Sequence, residues 1–103
     1  MDKKSFFNSI KLKSEDFKLP TGDVVKLFEL TAGQREKVFE ELEANKVVRA
    51  QARIVALSCD SFTEEDIDQL LNLPGELLTN MADVVSRLSG MDGESQKKTN
   101  KQS

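Results

Sequence analysis

The sequence predicts a mainly α-helical fold in which an N-terminal β-hairpin packs on a small bundle of about four helices. Three observations lead to this prediction. A Pro-Thr-Gly-Asp turn lies between two runs of strand-forming residues, two threonines begin helix-start motifs, and apolar residues recur at helical spacing towards the C-terminus. The 103 residues suffice for one small domain, which we assign to residues 14–90, between a flexible arm at 1–13 and a disordered tail at 91–103.

The hairpin is predicted around Pro20 and Gly22. Proline presets its own backbone angle and glycine accepts a positive φ, so both favour a turn. The flanking runs FKL and VVKLFEL predict strands near 16–19 and 24–30. Because two isolated strands are only marginally stable, one face of the hairpin is expected to pack on helices.

Two helices are predicted after the hairpin. Thr31 and Gln34 match a capping box, so the first helix should run over 32–44 and end at Asn45. The next segment, NKVVRAQARIVALSC, contains neither proline nor glycine. Its two neighbouring apolar stripes consist of Val48, Ala52, Val55 and Cys59, and of Val47, Ala50, Ile54 and Leu57. The β-branched residues leave a strand as the alternative, but the length favours a largely buried helix.

The stretch LNLPGELLTNM is interpreted as a corner between two helices. Thr63 and Asp66 mark the start of a short helix over 64–71. Pro74 is predicted at the first position of the last helix, where the missing N–H has no helical partner, and Leu73 is expected to fill the corner. That helix should run over 74–89 and stop at Gly90.

Charge is distributed unevenly along the chain. The arm carries four lysines and one aspartate, whereas residues 14–90 hold 8 basic and 15 acidic residues. An acidic body argues against nucleic acid as a partner, because phosphate binding needs lysine and arginine. The basic ends are interpreted as solubilising tails, with contact to an acidic partner as the alternative. Four apolar arm residues would be costly to expose, so some should dock on this chain or on a neighbour: Phe6, Phe7, Ile10 and Leu12.

Catalysis, cofactors and metals are not predicted. The chain has no histidine that could activate its single cysteine, Cys59, which is expected to be a buried structural thiol. The alternating oxygen ligands of a calcium loop are interrupted by Phe62, and no glycine-rich phosphate loop is present. No run of about 18 apolar residues and no secretory leader are found, so we expect a cytoplasmic protein that acts by binding and needs no membrane.

An ordered set of motifs resembles the small tail assembly chaperones of long-tailed bacteriophages. These are a P-T/D-G hairpin opening, an LTAGER-like helix start, an R-x-x-L-V-A-L-S-like central helix, an F-T-x-E-D-I/V-x-x-L helix start, a Leu-Pro corner and a terminal R-L-S/N-G. In this chain they span Pro20 to Gly22, Thr31 to Glu36, Arg53 to Ser58, Phe62 to Leu70, Leu73-Pro74 and Arg87 to Gly90. The resemblance covers roughly residues 16–91, and it departs where many relatives have a glycine-bearing turn and this chain has Cys59-Asp60-Ser61.

The resemblance implies a function without an active site. Such chaperones coat the tape measure protein in the host cell cytoplasm, keep it soluble, help to recruit tail tube subunits, and are absent from the mature virion. Many have a longer form made by a −1 ribosomal frameshift. The codons of Lys97-Lys98 could form the slippery run that such a frameshift needs. This is a hypothesis, and the gene sequence tests it.

Partner binding is therefore the predicted activity. The candidate residues lie in the arm and on the last helix: Phe6, Phe7, Ile10, Leu77, Leu78, Met81, Val85 and Leu88. The alternative for the last helix is that its apolar stripe is intramolecular core. Self-association into an oligomer or open spiral is also predicted. The alternative function is a small acidic helical adaptor or inhibitor that regulates a partner protein.

Overall fold

The computed structural model describes residues 2–91 and has a mainly α-helical fold with one two-stranded antiparallel hairpin. Its elements are α1 Lys3–Ser9, β1 Ser14–Lys18, β2 Val24–Phe28, α2 Ala32–Glu43, α3 Val47–Ser58, a 3₁₀ turn Glu64–Asp66, α4 Ile67–Leu70 and α5 Gly75–Leu88. The disordered tail predicted at 91–103 lies, apart from Met91, outside the described residues, as does the Lys97-Lys98 dipeptide.

The hairpin forms around the predicted turn. The Gly22 N–H donates to the Leu19 carbonyl at 2.9 Å, and Gly22 has a φ of 99°, which explains why glycine stands there. Ser14 pairs with Phe28 at one end and Lys18 with Val24 at the other. Both strands contact α5, so the predicted packing of the hairpin on helices is confirmed.

Helix α2 begins and ends with hydrogen-bonded caps. The capping box is present: the Gln34 N–H donates to the Thr31 hydroxyl and the Thr31 N–H donates to the Gln34 side-chain oxygen. At the other end, Asn45 has a φ of 62°, its N–H donates to Leu42, and the Lys46 N–H donates to Glu41. This is a Schellman motif with asparagine at the left-handed position.

The left-handed backbone at Asn45 leads to a stability prediction. Asn45→Gly should raise the free energy of unfolding by about 0.5 kcal/mol, because glycine adopts a positive φ without the Cβ clash that asparagine retains. The matched control Asn80→Gly, at an exposed position inside α5, should lower it by about 0.5–1 kcal/mol. Urea unfolding measures both, and a loss of stability in both variants would contradict the strain at Asn45.

Helix α3 is the central helix of the core, which confirms the helix over the strand alternative. It packs on α2, α4 and α5, and its buried side chains are spread over much of its circumference. These buried residues are Ala50, Ala52, Ile54, Val55, Ala56 and Ser58, followed by Cys59 after the helix end. The predicted burial of Val47 and Val48 is wrong: both are more than half exposed, because they lie in the first turn of the helix, just after the corner at Asn45.

The corner around Pro74 separates α4 from α5, with one adjustment. Pro74 is the N-cap and not the first helical residue: its carbonyl accepts from the Leu78 N–H at 3.1 Å, and α5 starts at Gly75. Leu73 packs partly against the core, as predicted. The short helix before the corner begins with a 3₁₀ turn and ends at Leu70.

The end of α5 is closed by a second Schellman motif. Gly90 has a φ of 72°, and the Met91 N–H donates to the Ser86 carbonyl at 2.7 Å. Met91 also packs against the core, so it belongs to the domain and not to the tail. The Ser89 hydroxyl accepts from the Leu30 N–H at 2.8 Å and ties this end to the segment after β2.

The arm contains a helix that the sequence did not predict. Asp2 caps α1: its Oδ1 accepts from the Ser5 N–H at 2.8 Å. This hydrogen bond lowers the pKa of the Asp2 carboxyl. The cap is therefore retained at neutral pH and weakens as the pH falls through that lowered pKa. None of the residues of α1 is buried.

Within residues 2–91, no helix is long and apolar enough to cross a membrane.

Candidate functional site

An apolar groove opens between the hairpin turn, the turn after α3, α4 and the first half of α5. Its volume is about 570 Å³, within the range of sites that hold drug-sized molecules. The buried side chains of Leu70 and Met81 line it, and partly buried apolar side chains complete its walls: Leu19, Val25, Phe62, Leu73 and Leu77. Its lining also includes Pro20 and four polar residues: Thr21, Ser61, Asp66 and Gln69.

Local structure explains how these residues meet. The Pro20 turn places Leu19 at the end of the hairpin, next to Val25 of β2. The Phe62 N–H donates to the Cys59 carbonyl at 3.2 Å, which turns the chain after α3 and brings Phe62 towards the groove. Since Pro74 starts a new helix at an angle to α4, Leu73 and Leu77 face the same space. The Leu-Pro corner therefore shapes the groove.

The last-helix candidates divide between core and surface. Leu78, Met81 and Val85 are 2%, 2% and 0% exposed, so all three are core residues. The assignment of Leu78 and Val85 as partner-binding residues is corrected, whereas Met81 also lines the groove. Helix α5 packs against α3 and the hairpin with its apolar stripe. These three positions belong to that stripe, so their side chains point inward. Leu77 is half-buried in the groove wall, with the edge of Met81 beside it, while Leu88 packs partly on the core outside the groove.

The arm candidates are all on the surface. Phe6, Phe7, Ile10 and Leu12 are 49%, 63%, 65% and 45% exposed. The rings of Phe6 and Phe7 meet edge to face with 5.1 Å between centroids, so they form one apolar knob on α1. The expectation that some of these side chains dock on their own domain is met in part by Leu12, which lines a shallow recess with Phe28 and Leu57. Phe6, Phe7 and Ile10 stay exposed.

The segment that carries one wall of the groove is acidic. Residues 60–68 contain Asp60, Glu64, Glu65, Asp66 and Asp68 and no basic residue. Arg53 and Lys37 pair with Glu64, and Arg49 lies 3.8 Å from Asp68. Among the residues that the structure describes, the other three carboxylates form no ion pair, so this side of the groove keeps a negative charge.

Cys59 is a buried free thiol, as predicted. In the part of the chain from residue 2 to 91, no three His, Cys, Asp or Glu side chains are grouped as a metal site requires. Comparison with protein-family models, with curated proteins and with solved structures finds no match for this chain.

The groove itself was missed by sequence reasoning. Its walls come from the hairpin at residues 19–25 and from residues 61–81, which lie far apart in the sequence, and only Leu77 and Met81 are among the sequence-based candidates. A signal was nevertheless present, because Leu19, Phe62 and Leu73 each stand beside a predicted turn or helix corner. Apolar residues at such junctions can be left half covered where the elements separate.

Proposed function

We propose that this protein is a bacteriophage tail assembly chaperone that binds the tape measure protein, keeps it soluble and helps to recruit tail tube subunits in the host cytoplasm. The observation that carries the proposal is the apolar groove on a small, strongly charged domain. An amphipathic helix of the client would lay its apolar face in the groove, in the same way as other helix-in-groove complexes.

The motif set behind the resemblance supports the proposal through the fold. Pro20 to Gly22 form the hairpin turn, Thr31 starts α2, Arg53 joins two elements, and Pro74 and Gly90 bound α5. These residues determine turns, caps and helix ends. Two proteins that carry them in the same order are therefore expected to have the same architecture, which supports the proposal. Recruitment of tail tube subunits is assigned to a frameshift-extended form.

Self-association is part of the proposal. A tape measure protein is long and repeats its apolar helical segments, so several copies of a small holdase on one client would gain avidity. A charged surface suits this role, since 32% of the residues are charged and keep the complex soluble.

The proposal predicts a loss of client binding when the groove becomes charged. Leu77→Asp should weaken binding of a tape measure protein from the same phage by about tenfold to a hundredfold, because a leucine's burial is lost and a carboxylate must be desolvated. Coexpression followed by measurement of the soluble client fraction, and titration with a fluorescent client segment, test it.

Two further variants control that experiment. Val48→Asp makes the same kind of change at a side chain that is 58% exposed and outside the groove, and it should leave binding unchanged. Leu77→Ala removes apolar area without adding charge and should weaken binding less than aspartate does. Equal loss in Leu77→Asp and Val48→Asp, or a gene neighbourhood without tape measure and tail tube genes, would contradict the proposal.

A small acidic adaptor is the second candidate. The observation that favours it is the group of carboxylates at Asp60, Glu65 and Asp66, which form no ion pair within the described part of the chain. An adaptor of this kind would bind a basic surface of a nucleic-acid enzyme or transcription factor. Pull-down from infected cells distinguishes the two, since a chaperone retains a long helical tail protein and an adaptor retains such a regulator.

A further inference from the structure

We infer that the groove of one copy is occupied by α1 of a second copy when no client is present. The arm and the groove are two apolar features left uncovered: a knob formed by Phe6 and Phe7, and a recess of about 570 Å³. Ile10 and Leu12 extend the knob along the chain. A recess of this size has room for two aromatic side chains.

Charge complementarity favours this occupant. Residues 2–13 carry four lysines and one aspartate, a net charge of +3, and they flank the apolar side chains on both sides. The groove is bordered by residues 60–68, in which Asp60, Glu65 and Asp66 form no ion pair within the described part of the chain, while Glu64 and Asp68 are paired with basic side chains. A basic apolar arm therefore meets an acidic apolar recess, which favours this pairing over contact between two arms of the same charge.

The arm of the same chain is too short to reach the groove with α1 intact. Lys13 extends the hairpin, since its carbonyl accepts from the Glu29 N–H at 2.9 Å and its N–H donates to the Glu29 carboxylate at 2.6 Å. Only residues 10–12 separate α1 from Lys13, and a reversal of chain direction uses about four residues.

Distances along the strand support the same conclusion. If the chain reversed after α1 so that the helix ran alongside β1, Phe6 and Phe7 would lie only about 5 Å further along the strand than Ser9, given the rise of an α-helix. The groove begins at Leu19, past the five residues of β1, which span about 16 Å. The arm would then lie beside the start of β1 and would not reach the groove. The α1 helix that occupies the groove must therefore come from a second copy.

An arm-in-groove contact is heterologous, which determines how copies assemble. Each copy offers one arm and one groove, so a pair joined by one such contact retains a free arm at one end and a free groove at the other. Association should therefore extend with concentration. If the protein has the proposed function, α1 and the client compete for the same groove, so client binding should separate the copies. Only this competition depends on the proposed function.

Sedimentation of the protein alone tests the contact by complementation. The wild-type chain should associate increasingly with concentration. Phe7→Asp, with an intact groove, and Leu77→Asp, with an intact arm, should each weaken association by about tenfold or more. A mixture of these two variants should form a one-to-one dimer that grows no further, because one working arm meets one working groove.

Control variants separate this contact from a general effect of added charge or of misfolding. Val48→Asp should associate as the wild type does, and circular dichroism should confirm that each variant is folded; should Leu77→Asp unfold, Leu77→Ala replaces it. A mixture that stays monomeric, association lost in Phe7→Asp but retained in Leu77→Asp, or a wild-type monomer at every concentration overturns the inference. Failure of client binding with intact complementation would reject the proposed function alone.

Discussion

Leu78→Ala is expected to lower the free energy of unfolding by about 2–5 kcal/mol, the range for deletion of a fully buried leucine side chain. Leu78 is 2% exposed and belongs to the core cluster between α5, α3 and the hairpin. Because small domains are stable by only about 5–15 kcal/mol, the variant should lose a large part of its stability. The melting temperature should fall by about 10 °C or more.

The neighbouring residue supplies the matched comparison. Leu77 is half-buried in the groove wall, so Leu77→Ala should cost only about 1 kcal/mol, although it removes the same atoms. Urea unfolding of both variants, at equal protein concentration, measures the difference. Similar losses would mean that Leu77 is also core and that the groove is closed in solution, which would remove the basis for client binding there.

Local motifs predicted much of the fold. Thr31 and Gln34 formed the predicted capping box, and Asn45 and Gly90 ended the helices where they were expected to. Each of these signals is contained within a few residues, because caps and turns depend on hydrogen bonds between near neighbours. The hairpin turn at Pro20 belongs to the same class, and its strands differ from the prediction by only two residues at their ends.

The errors arose where tertiary packing decides. Val47 and Val48 continue the apolar pattern of α3, but they precede the part of the helix that other elements cover. Leu78 and Val85 have the spacing of a binding stripe, and the same spacing also suits a core face. Only the positions of α3 and the hairpin distinguish the two cases.

Helix α1 was missed for a different reason. It has seven residues and no buried side chain, so no apolar periodicity marks it. The available signal is Asp2 at the N-cap position, three residues before Ser5, but the basic composition of the arm favours a flexible segment instead.

Arg53 holds the acidic wall of the groove to the helical core, and its removal should have the second large effect. Arg53 Nε and Nη2 donate to Glu41 Oε1 at 3.1 and 2.9 Å, and Nη1 donates to Glu64 Oε1 at 3.2 Å. The Arg53 and Glu41 side chains are only 17% and 15% exposed. The guanidinium thus connects α3 to α2 and to the 3₁₀ turn.

We expect Arg53→Ala to lower the free energy of unfolding by about 2 kcal/mol. This value lies between the small contribution of exposed ion pairs and the roughly 3–5 kcal/mol lost when a buried partner is removed. Arg49 lies 4.0 Å from Glu41 and can partly replace the lost charge, which keeps the loss below the buried limit. Arg53→Lys should lose about half as much, because an ammonium group cannot hold both carboxylates in the same fork.

Double-mutant cycles measure how this energy is divided. Coupling of Arg53 to Glu41 should reach about 1–2 kcal/mol, whereas coupling to Glu64, whose side chain is 58% exposed, should stay below about 0.5 kcal/mol. The 3₁₀ turn also carries Asp66 of the groove, so Arg53→Ala should weaken self-association even where the domain remains folded. Equal coupling energies to both carboxylates would contradict the stronger, partly buried pair with Glu41. Unchanged self-association would contradict the support that Arg53 gives to the groove wall.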